Sequence, residues 1–143
     1  MIRILETNVA IDFLRRINQI IDAKIRNLIS EGIEFTITHI TLCELWYGVH
    51  LLPSKQKQIL ESKKLNEFIS NLPEIFSLNI PTCKIFGEIG AELDKAGFRV
   101  PQFDLLNASI AISNKAILIT KEKKHFEKIR QFSEYAFLEI WEY

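Results

Sequence analysis

A balanced charge, the lack of any long apolar run and a near-absence of cysteine each exclude a class of protein here. Lys and Arg total 18 and Asp and Glu total 18 over 143 residues, so the chain lacks the basic excess of a histone-like nucleic-acid binder. Any contact with nucleic acid has to come from a local patch. The stretch from 17 to 25 is broken by Asn18, Gln19, Asp22 and Lys24, well short of a membrane span. The start, MIRILETNVAIDFL, has one early cation and is interrupted by Glu6 and Asp12, unlike a secretory signal. A soluble, cytoplasmic protein with no membrane association is expected. Cys43 and Cys83 have no C-x-x-C spacing and read as reduced, buried thiols rather than a disulfide framework. Neither G-x-G-x-x-G nor G-x-x-x-x-G-K-[ST] occurs, which removes support for dinucleotide or P-loop nucleotide binding. There is no G-x-S-x-G nucleophile elbow, and the three histidines lack metal-ligand spacing. Without repeats, low-complexity tracts or linkers, and with 48% apolar residues to fill one core, a single domain over 1–143 is expected.

What is present alternates between strand and helix. Ile2 to Leu5 reads as a short strand, and Glu6-Thr7-Asn8 as a turn and N-terminal cap for the helix after it. Ile21, Ile25, Leu28 and Ile29 have helical spacing, with Gly32 as a stop. Phe35 to Ile40 alternates apolar and polar residues as a strand does. From Thr41 the stripe Leu42, Leu45, Trp46, Val49 and Leu52 is helical up to Pro53 and places Glu44 in the first turn. Ser54 to Leu72 describes one or two amphipathic helices, and Ile75 to Ile80 a short strand. Pro81 opens a helix that Gly97 ends. Asp104 caps an apolar helix running through Ile112, and Ala116 to Ile119 is a strand buried on both faces. A helix over His125 to Arg130 and a strand near Phe137 to Trp141 follow. This pattern predicts an α/β fold with a mainly parallel central sheet flanked by helices.

In such folds ligands bind beyond the carboxyl ends of the strands, the location of Glu6 and Glu122. Glu44 and Asp104 lie at helix starts that can point to the same crevice. Taken singly, each acid reads equally as a cap or a solvated turn; only the four together point to a site. Converging carboxylates repel, and a bound hard cation, Mg²⁺ or Mn²⁺, relieves that repulsion. A metal so held suits phosphodiester hydrolysis, since it acidifies an attacking water and neutralises charge at the phosphate. Lys121, Lys123, Lys124, Lys128 and Arg130 cluster beside Glu122 and read either as phosphate contacts or as an ordinary solvated helix face. Trp46 and Tyr47 fit core or dimer packing, or stacking on a base. His39 and His125 read as structural, and Asp12 as a surface or packing residue. Phe13, Phe68, Phe86 and Phe126 fit core positions.

Four segments carry a resemblance that spans almost the whole chain. ILETNVAIDFL is similar to the Leu-Asp-Thr-Asn opening of PIN domains of the VapC toxin type. ITLCELWYGV matches their Ile-Thr-x-x-Glu-Leu-x-x-Gly block, FDLLNASIAI their Asp-x-x-x-Ala helix, and AILITKEKKHFEKI their strand, Thr-x-Asn/Asp and Phe-bearing helix. The resemblance implies a three-layer α/β/α PIN-like fold, metal-dependent ribonuclease activity on RNA, a homodimer, and a VapB-type antitoxin that blocks the site. It places Glu6, Glu44, Asp104 and Glu122 as the catalytic acids, with Glu6, Glu44 and Asp104 holding metal and Thr7, Asn8 and Thr120 supporting them. One departure stands out: Glu6 replaces the family's Asp and pushes the carboxylate out by about 1 Å. Two alternatives follow, a degenerate domain that binds RNA or an antitoxin without cutting, and a DNA-directed or structure-selective nuclease using the same acids.

Overall fold

The structure is a computed structural model that describes residues 2–16 and 18–143. Its elements in chain order are β1 (Ile2–Leu5), α1 (Thr7–Arg15), α2 (Gln19–Ser30), β2 (Glu34–Thr36), α3 (His39–His50), α4 (Lys55–Ser70), α5 (Ile80–Lys95), α6 (Gln102–Ser113), β3 (Ile117–Thr120), α7 (Lys124–Arg130) and β4 (Leu138–Ile140). The strands form one sheet in the order β2-β1-β3-β4, and every pairing among the described residues is parallel.

Successive side chains of a strand point to opposite faces, and here the alternation divides the core. Leu5 of β1 and Ile119 of β3 join Val9, Ile21, Ile25, Leu45 and Leu65 beneath α1 to α4. Ile4 and Leu118 join Ile89, Leu93, Leu105, Ala108 and Phe126 beneath α5 to α7. The result is three layers, helices on both faces of the sheet, as expected. A fully buried side chain such as Leu118 contributes about 1.5–3 kcal/mol. Phe126 is fully buried, while Phe13, Phe68 and Phe86 are partly buried against the two cores, and so is Trp46.

Several local expectations need correction. The strand expected over 35–40 stops at Thr36, because Thr38 turns its hydroxyl onto the Thr41 N–H and caps α3. With the helix starting at His39, Glu44 lies in its second turn, not its first. The 75–80 strand reduces to one bridge, Phe76 to Thr38, since Asn79 already caps α5. Asp104 does not cap α6: the helix begins at Gln102 after Pro101, and Asp104 sits inside the first turn, where the helix dipole favours an anion. Both cysteines are exposed rather than buried, because positions 43 and 83 lie off the stripes that α3 and α5 bury. No helix among the described residues is long and apolar enough to cross a membrane.

Candidate active site

From β1 the chain moves outward to β2 on one side, and the later strands are added on the other side. The order therefore reverses between β1 and β3. A crevice opens at the carboxyl ends of strands at such a reversal. Glu6 follows β1 directly and its N–H extends the ladder to the Ile119 carbonyl at 2.9 Å. Its side chain is 3% exposed and fully engaged. Oε2 accepts the Asn8 N–H at 3.0 Å, capping α1, and Oε1 accepts the Thr120 hydroxyl at 2.9 Å. Thr120 thus supports Glu6 through its side chain. Asn8 does so through its backbone, its own side chain being exposed.

Glu44 is held by a run of neutral donors. The Thr7 hydroxyl donates to Glu44 Oε1 at 2.6 Å and lies 2.9 Å from the Thr41 hydroxyl. The Asn107 amide reaches Thr41 Oγ1 at 3.4 Å, and the Thr38 hydroxyl donates to Asn107 Oδ1. A hydroxyl has one proton to give. With Thr7 donating to the carboxylate, Thr41 has to donate to Thr7, so the proton of each hydroxyl from Thr41 onward points toward Glu44. Aligned bonds of this kind polarise one another.

The remaining acids meet on the open side. Asp104 Oδ2 lies 3.1 Å from His125 Nδ1, and Glu122 Oε2 lies 3.6 Å from the same nitrogen. Glu122 also accepts the His125 N–H at 2.9 Å, while its own N–H donates to Thr120 Oγ1 at 3.0 Å. Ligand atoms of Asp104, Glu122 and His125 all fall within 4.8 Å of one another.

The two halves act on each other electrostatically. Burial pushes the Glu6 carboxyl up to about 7, against the pull of the Asn8 and Thr120 hydrogen bonds, and the charges of Asp104 and Glu44 push it further. Asp104 is raised too, first by burial and then by Glu122 and Glu44, with His125 opposing. All four carboxylates therefore share one field. The group that Asp104, Glu122 and His125 form fits a divalent cation, two carboxylates and an imidazole nitrogen within 4.8 Å, while Glu6 and Glu44 lie outside that close group.

Comparison with known proteins shows the family. The PIN-domain profile matches residues 3–131. The chain belongs to the PIN-domain family. Within it, the chain is 36% identical over 131 residues to ribonuclease VapC2 of Rickettsia felis, covering 90% of this chain and 92% of that one. It is 33% identical over 130 residues to ribonuclease VapC1 of Methanocaldococcus jannaschii, covering 90% and 82%. Among solved structures, VapBC2 of Rickettsia felis bound to a promoter DNA fragment superposes with a TM-score of 0.82 at 31% identity, over 99% of this chain and all of that one.

The cations of this PIN domain divide according to what they touch. Lys121 is paired with Asp12, which is buried and also accepts the Tyr143 hydroxyl at 2.6 Å. Lys123 is paired with Glu142, whereas Lys124 stands exposed at the first position of α7. Of these three lysines, Lys124 is the one with no carboxylate partner among the described residues. Sequence reasoning read His125 as structural and did not single out Thr41 or Asn107. Signals for two of them existed: Asn107 lies three residues after Asp104 on an otherwise apolar helix, and His125 three after Glu122, spacings that share a helix face.

Proposed function

We propose that this PIN domain is the toxin of a type II toxin-antitoxin pair and acts as a divalent-metal-dependent endoribonuclease that hydrolyses RNA phosphodiester bonds. The observation that carries the reading is the meeting of Asp104 and Glu122 ligand atoms within 4.8 Å beside the β1–β3 reversal, with Glu6 and Glu44 near enough for the acids' charges to act on one another. The ion is Mg²⁺ or Mn²⁺, held chiefly by Glu6, Glu44 and Asp104. When bound, it lowers the pKa of an attacking water and offsets charge on the phosphate. Thr7 and Thr120 fix the Glu44 and Glu6 carboxylates from behind, and Glu122 accepts or passes a proton at the open rim. Lys124 holds the RNA backbone, with Lys121 and Lys123 joining when they leave their carboxylate partners.

The partner is a VapB-type antitoxin, by analogy with the VapBC complexes that this fold superposes on. A shallow groove lined by Ile11, Leu14, Leu45, Val49 and Leu65 together with Arg15 and Lys64 reaches Glu44. The working form is a cytoplasmic homodimer. A catalytically degenerate domain is the second reading, favoured by one observation: both Glu6 oxygens are turned onto Thr120 and Asn8.

Antitoxin-free protein incubated with total RNA and with DNA, in Mg²⁺, in Mn²⁺ and with chelator, separates these readings. Chelator-sensitive cleavage of RNA but not DNA is expected, with a gain on Glu6→Asp. Cleavage appearing only after Glu6→Asp supports the degenerate reading. Absence of RNA cleavage from both proteins, or cleavage that survives chelator, refutes the metal-dependent ribonuclease.

A further inference from the structure

We infer that His125 is a nitrogen ligand of the same cation, which gives this chain a preference for Mn²⁺ over Mg²⁺. The inference rests on the metal-dependent reading and adds a residue and a selectivity to it. His125 comes from α7, Asp104 from α6 and Glu122 from the turn after β3, three separate segments whose ligand atoms meet within 4.8 Å. Their side chains are half-buried, between a fifth and a third exposed, so an ion can reach them while solvent is partly excluded.

The imidazole is turned toward the carboxylates. The His125 N–H is tied to the Glu122 carboxylate, and Nδ1 faces the Asp104 and Glu122 oxygens rather than solvent. Nδ1 is also a lone-pair donor whenever the proton sits on the other ring nitrogen. Mg²⁺ demands oxygen ligands and retains its waters, whereas first-row transition ions accept imidazole nitrogen readily. A carboxylate site with one imidazole therefore moves away from Mg²⁺, and of the two ions proposed above Mn²⁺ gains.

The test uses the intact chain with Mn²⁺ or Mg²⁺ alone as the probe. Affinities are measured by calorimetry for the wild type, His125→Gln and His125→Asp, and the Mn²⁺ complexes are examined by pulsed electron paramagnetic resonance for ¹⁴N coupling. Circular dichroism of each variant confirms folding. Expected is a ¹⁴N modulation in the wild type that disappears in both variants, with Mn²⁺ affinity in His125→Gln falling by about 10-fold or more. Mg²⁺ affinity should change much less, and His125→Asp should retain binding while losing the preference. Mn²⁺ binding without ¹⁴N coupling, or coupling that persists in both variants because it comes from His39 or His50, overturns the inference and leaves the metal reading intact. Failure of the wild type to bind either ion overturns both.

Discussion

Glu6 sits in a dry half of the crevice with half-buried Glu44 beside it, both held by threonine hydroxyls, whereas Asp104 and Glu122 sit in an open half joined through the His125 imidazole. The difference lies in what opposes the negative charge. In the dry half the hydrogen bonds to the acids come from neutral donors, and burial raises the Glu6 carboxyl to about 7. In the open half an ionisable ring and partial solvation do the same work with looser geometry. A cation entering the crevice would therefore displace a proton from the first half and rearrange side chains in the second.

The largest expected effect comes from the open half. Asp104→Asn should reduce chelator-sensitive RNA cleavage by about 1,000-fold or more while leaving the melting temperature within a few degrees, because the residue is proposed as a ligand, is half-buried and does not cap α6. A comparable loss of stability with the loss of activity would make Asp104 structural.

Next is the pH dependence of the dry half, measured without metal and with chelator. Glu6 has a folded value of about 7, above its ordinary 4.5, so between these values the folded state binds a proton that the unfolded state has lost. Its contribution to stability is complete below pH 4.5 and is lost as pH rises through 7. Glu6→Gln, which mimics the neutral form, should be the more stable protein by roughly 3 kcal/mol at pH 8, with the gap closing toward pH 4.5 in urea titrations. A gap that is the same at both pH values contradicts the burial of a protonated Glu6.

Thr7→Val probes the hydroxyl run. It removes the donor to Glu44 and strands the Thr41 hydroxyl, at an expected cost of about 1–3 kcal/mol in stability and about 10–100-fold in cleavage. The smallest effect belongs to His125→Gln without metal, where stability should change by less than about 1 kcal/mol because the carboxylate contacts it loses are partly solvated. If His125→Gln proved more destabilising than Thr7→Val, the contrast between a rigid and an adjustable half would fail.

The strength of the sequence signal followed the same division. The layered fold could be read because β1 and β3 are short β-branched and leucine runs and most helices carry clean apolar stripes. Glu6 and Glu122 could be placed because residues just after strands have few alternatives. Errors arose where one residue type serves two purposes. Thr38 has high strand propensity and is also a good helix cap, and the cap won, shifting Glu44 by a turn. Asp104 looked like a cap because acids favour both the cap and the first turn. The hydroxyl run was invisible because Thr7, Thr41 and Asn107 are far apart in sequence and become neighbours only when α1, α3 and α6 pack on the sheet. His125 was set aside for want of histidine spacing, whereas its partners are carboxylates on other segments.

Proton release on metal binding tests most directly whether the two halves close on one cation. Mn²⁺ is titrated into the intact protein by calorimetry at pH 6 in two buffers of different ionisation enthalpy, for the wild type and Glu6→Gln. At that pH Glu6 still holds its proton, so a cation that engages both halves should release about one proton from the wild type and markedly less from Glu6→Gln. Mn²⁺ binding with no proton release, or with equal release from the two proteins, would mean that the ion touches the open half alone and would contradict a single shared site.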